Sequence, residues 1–183
     1  PLVFFFLVYA GLLAILFGSA RSLPERVASH FGVDGLANGW MSRPAYLLLV
    51  GGLPLALAGF FWAIPRLVRH HPKLINIPRR SYWLAPERQD RTLRRLRRWL
   101  IWLGCPLVVF FGSLHFLTLE ANQTSPAVLS NGGFMTVLIG FFLGIILWTT
   151  AFLMHFAEEE KAWRFSGKRF LASSLAGVAI VIL

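Results

Sequence analysis

Histidine is the residue type in this chain most able to do chemistry, and two of the five stand out. His115 lies inside an apolar run, Trp99 to Leu119, and His30 lies in the polar stretch ahead of another. An ionisable side chain within an apolar run is a site candidate, because a buried imidazole needs a partner to offset desolvation. Asp34, Glu120 and Asn122 fall on the same side of the apolar runs as this pair, with Trp40 beside them. Two imidazoles and a carboxylate would suit zinc or copper. No close spacing imposes that geometry, so the expected arrangement is a hydrogen-bonded contact between His30 and His115, direct or through Asp34, Glu120 or Asn122, that ties the cap to the third span, with no metal and no cofactor. His155 precedes Glu158 and Glu159 at ligand-capable helical spacing, but three acids followed by Lys161 read more simply as a solvated helix end. The chain has no phosphate loop, nucleophile elbow, His-Glu-x-x-His pattern or haem attachment pair. No catalytic residue is assigned, and an enzyme is not expected.

The elements that position these residues are membrane spans. Of 183 residues, 56% are hydrophobic and mean hydropathy is +0.63, against about 45–50% apolar in soluble domains. Only 14% are charged, in clusters. A net charge of +10 would suggest nucleic acid in a soluble protein. Beside apolar runs the nearest counter-charge is anionic phospholipid, and no nucleic-acid partner is expected. The single Cys105 sits in an apolar run and excludes an intramolecular disulfide.

The expected fold is a single all-α integral membrane domain over 1–183, with about five transmembrane helices at 1–18, 44–64, 99–119, 133–156 and 170–183. Four are complete. The fifth, fourteen residues, reaches only about 21 Å against a hydrocarbon core of about 30 Å, so it is either truncated or partly inserted. The first run lacks a basic flank, a cleavage site and a starting Met, which suggests a missing beginning rather than a signal peptide. Gly51, Gly52 and Gly59 in the second run, and Gly140 with Gly144 in the fourth, are spaced for close helix contact, and Pro54 is placed to kink its run.

Charge orients the spans. The loop 65–98 carries eleven Lys or Arg and the segment after 156 four, against three in 19–43 and none in 120–132. The side with fifteen is expected to be cytoplasmic, with the amino terminus inside and 19–43 outside as a small cap loop. Asp34-Gly35 and Asn38-Gly39 are its turn dipeptides, and Gly32, Gly35 and Gly39 permit positive φ. Before the third span, Pro86 suits a helix start, and Glu87–Arg91 and Asp90–Arg94 are spaced as i, i+4 pairs. Arg91, Arg94, Arg95 and Arg98 then share one face, opposite Leu93, Leu96 and Leu100. This amphipathic lead-in is expected to bind lipid phosphates. Tyr82, Trp83, Trp99 and Trp102 are candidate interface anchors.

Two stretches carry a resemblance. One is Leu23-Pro24-Glu25-Arg26-Val27-Ala28-Ser29-His30-Phe31 with Gly35 and Asn38-Gly39-Trp40-Met41-Ser42; the other is Ile75-Asn76-Ile77-Pro78 with Tyr82-Trp83-Leu84-Ala85-Pro86-Glu87-Arg88. Over roughly residues 20–122 the chain resembles a bacterial membrane family defined by a domain of unknown function shared with SdpI-type immunity proteins. It looks closer to the small relatives than to SdpI itself, and the tail from Glu158 does not follow the pattern. The resemblance implies a non-enzymatic protein of the bacterial inner (cytoplasmic) membrane, acting in immunity to a secreted peptide or in signalling. Two alternatives stand beside it. One is an accessory subunit docked on a membrane protein partner; the other, weaker, is a metal-binding membrane enzyme using His30 and His115.

Overall fold

The structure is a computed structural model, and it describes residues 1–77 and 80–157. The expected fifth span, 170–183, and the residues Glu158 and Glu159 lie outside the described residues. Helix α1 (Leu2–Ser19) leads into a β-hairpin of β1 (Arg26–Phe31) and β2 (Ala37–Ser42). Helix α2 (Arg43–Leu67), a short α3 (Arg80–Trp83), α4 (Pro86–Ala121) and α5 (Asn131–Ala157) follow. Helices α1, α2, α4 and α5 are each long and apolar enough to cross a membrane. The protein is an all-α multi-pass membrane protein.

The helices run past the expected span limits for local reasons. Pro44 sits in the first turn of α2, where its missing N–H costs nothing, and the helix continues through Pro54 and Pro65. Pro86 starts α4, which runs unbroken through the basic lead-in for 36 residues. That is about 54 Å, longer than a hydrocarbon core of about 30 Å by roughly four turns.

Packing divides into two cores. In the first, Phe5, Leu12 and Leu16 of α1 meet Tyr46, Val50 and Ala58 of α2 and Ile101, Cys105 and Val108 of α4. Close approach rests on small residues: Gly51 faces Leu16, and a Cβ on Gly104 would lie 3.0 Å from the Phe5 ring. Gly59, Gly140 and Gly144 face open space, so those expected helix contacts are not made among the described residues. The second core, toward the basic end, gathers Ile75, Ile77, Trp83, Leu93, Leu96, Phe152 and Phe156.

The cap is the main departure from an irregular loop. It is an antiparallel hairpin whose chain reversal lies at 32–36. Asp34 accepts the Leu36 N–H at 3.0 Å, and Gly35 has φ +80°. A Cβ there would also meet the Leu129 carbonyl at 2.7 Å. Asn38-Gly39 is not a turn but part of β2, where Gly39 makes room for His30: a Cβ on it would lie 2.8 Å from that of His30. The loop before α5 completes the cap. The Ala37 N–H donates to Ala127 O, the Leu129 N–H donates to Gly35 O, and Leu36 bridges Val128.

Candidate functional site

The cap-side ends of α1, α2 and α4 meet at His115, which has no exposed surface. Its Nε2 lies 2.7 Å from Ser19 Oγ and its Nδ1 lies 3.0 Å from Tyr46 OH. Ser19 spends its one hydroxyl proton on Ile15 O at 2.7 Å. His115 Nε2–H is therefore the donor to Ser19, and Tyr46 OH donates to Nδ1. The result is a directed chain from Tyr46 through His115 to Ser19, joining three helices within an apolar core.

This corrects the expected histidine pair. Both ring nitrogens of His115 are engaged with Ser19 and Tyr46, while His30 is exposed on β1. They form neither a direct bond nor a shared ligand set. Among the described residues, no three His, Cys, Asp or Glu side chains are grouped as metal ligands. The tie between cap and α4 runs instead through Asn122, one of the sequence candidates. Its Oδ1 accepts the Ala28 N–H at 2.8 Å, and its Nδ2 donates to Ala28 O at 3.0 Å. An amide thus pairs with the backbone of a buried strand residue as a third strand would. Glu120, Asp34 and Trp40 are exposed, and Asp34 serves the turn.

Beside this network is a cavity of about 630 Å³ between β1, α4 and α5. Pairing between β1 and β2 shifts register on both sides of His30. Such irregularities re-aim side chains and recur beside functional sites. Here the shift brings Ser29, His30 and Phe31 all to the cavity wall. Ser29 Oγ is buried there without a hydrogen-bond partner. Leu114, Phe134 and Met135 supply apolar walls, and Asn131 lies at the rim with its Nδ2 on Val33 O. Thr118, three residues beyond His115 on α4, also lines the cavity. Sequence reasoning named His30 and missed Ser29, Thr118, Ser19 and Tyr46. The signal available was Thr118 three residues beyond His115, on the same side of α4.

At the other end, Arg91, Arg94 and Arg98 are exposed on α4, Arg95 is half-buried, and Leu93 and Leu96 are buried on the opposite face, as the periodicity predicts. Asp90 pairs with Arg69 at 2.9 Å rather than with Arg94. Trp83 is no interface anchor: it is buried, with Nε1 on Phe156 O at 2.9 Å. Residues 4–53 match the family described as Domain of unknown function (DUF1648). The match takes in α1, the hairpin and the start of α2, and leaves out the second resembling stretch, 75–88. Comparison with curated proteins and with solved structures gives no match.

Proposed function

We propose that the cap-side cavity receives a short apolar peptide segment, and that the protein is a non-enzymatic, SdpI-like immunity or signalling protein. In this reading it lies in a bacterial inner membrane with cap outward and amino terminus inside, in line with the fifteen-to-three split of basic residues. The observation that carries the reading is the orphan Ser29 hydroxyl beside a cavity that combines apolar walls, Leu114, Phe134 and Met135, with the polar His30, Thr118 and Asn131. A buried unsatisfied hydroxyl costs about 1–3 kcal/mol, which a backbone group of an entering peptide would offset.

The test is a photo-crosslinking residue at Val33 or Met135 in cells producing the protein. An added peptide mass that vanishes when Leu114→Trp fills the cavity supports the reading. Cross-links to integral membrane proteins, unchanged by Leu114→Trp, overturn it and favour an accessory subunit. One observation speaks for that second reading: only 6% of the apolar window of α5 is buried, and Gly140 and Gly144 face open space.

A further inference from the structure

At the basic end, α4 and α5 leave a groove of about 650 Å³ between them. Its mouth holds Arg95 and Arg98 of α4 and His155 of α5. Its walls below are Trp102 and Pro106 on one side and Trp148 and Ala151 on the other. The Arg95 guanidinium also lies 5.6 Å over the Trp83 ring. Trp148 Nε1 donates to Trp99 O at 3.2 Å, and Trp99 packs against both Trp148 and His155. The wall is thus held between the helices.

The residues change along the groove in the order a lipid changes along its length. Pro106 lies eleven residues beyond Arg95 on the helix, about 16 Å at 1.5 Å per residue. That is about half of a 30 Å hydrocarbon core, measured from the guanidinium level inward. Guanidinium groups match phosphate oxygens in planar, bidentate fashion, and tryptophans at this depth suit the glycerol and upper acyl region. A free phosphate would use only the mouth and leave the aromatic walls without a role.

We propose that this groove binds one anionic phospholipid, its phosphate between Arg95 and Arg98 and one acyl chain along Trp102, Pro106 and Ala151. The site is narrower than the four-arginine face expected from periodicity: Arg91 and Arg94 lie outside the groove. This proposal is independent of the cap-side cavity.

The test is native mass spectrometry of the protein released from nanodiscs of phosphatidylglycerol mixed with phosphatidylcholine. One phosphatidylglycerol should survive delipidation. The double variant Arg95→Gln/Arg98→Gln should lower its retention at least tenfold, and Arg91→Gln/Arg94→Gln should lower it less than twofold. Ala151→Trp, which fills the groove and keeps both guanidiniums, should also release the lipid, with helicity by circular dichroism unchanged. Added inorganic phosphate should not displace it. Equal losses from the two arginine pairs would show diffuse surface attraction. Equal retention of phosphatidylcholine, displacement by phosphate, or full retention in a folded Ala151→Trp variant would each overturn the site.

Discussion

The two ends of the bundle are ordered by different physical means. The cap end is held by directional hydrogen bonds. These are a hairpin, the two Asn122 bonds to Ala28, the bridge from Leu36 to Val128, and the polar chain through His115. The basic end is held by stacked rings and by arginines over indoles and phenols. Trp83 meets Phe156 edge-on, Trp99 meets Trp148 and Phe152, Arg66 lies 3.9 Å over Trp62, and Arg88 lies 4.2 Å over Tyr82. The cap's short strands expose backbone groups that must be paired, and only angular bonds do that. The long helices of the basic end satisfy most of their own backbone, and a few side-chain bonds, such as Thr92 Oγ1 to Trp83 O and Gln89 Nε2 to Arg69 O, tie down the connection between them, so most side chains there pack by area and keep their charges wet. The cap end is therefore exacting about geometry, the basic end about bulk.

The largest effect that would sharpen this contrast comes from Trp83→Ala. It removes a buried indole, its bond to Phe156 O and its ring contacts, at an expected cost of about 3–5 kcal/mol. Protease cleavage should rise around 69–85 while hydrogen exchange at Ala28 stays slow; faster exchange there would break the division into two ends. His115→Ala comes next, at about 2–4 kcal/mol, because it opens a cavity and strands the Tyr46 hydroxyl. His115→Phe should recover the packing part only. If unfolding titrations find it as stable as the native chain, the polar chain contributes nothing net.

Asn122→Ala should cost about 1–3 kcal/mol, felt locally. Hydrogen exchange at Ala28 should quicken and the second core should not respond. Gly35→Ala should cost about 1–2 kcal/mol, since it sets a Cβ against Leu129 O at positive φ. A stability within error of the native chain would remove the turn from the account. The smallest effect is expected from Arg69→Gln. Its ion pair with Asp90 is more than half exposed on both sides, so it contributes a few tenths of a kcal/mol at most. A loss above about 1 kcal/mol, or a strong dependence on salt, would mean that charge pairing orders this end after all.

The spans and the face of the lead-in were legible in the sequence because each depends on local, repeated signals. Uninterrupted apolar length marks α1, α2 and α5. Periodicity near 3.6 puts Leu93 and Leu96 opposite Arg91 and Arg94 wherever that helix packs. The cap was read as turns because glycines and short polar residues mark reversals without saying which ones enter a strand. Gly39 belongs to β2 because His30 happens to face it, which is a contact between strands.

By itself, then, the sequence determined a multi-pass helical membrane protein with one strongly basic end and a continuous helix joining that end to a span. Local composition and period suffice for those. The partners of His115 were decided by tertiary structure alone. A buried imidazole demands two hydrogen bonds, but Ser19 and Tyr46 lie 96 and 69 residues away, and only the crossing of α1, α2 and α4 brings them to it. The same holds for the cavity with Ser29 and for the groove between Arg98 and Trp148. Each is a space between elements, and its shape depends on how those elements pack rather than on either sequence segment.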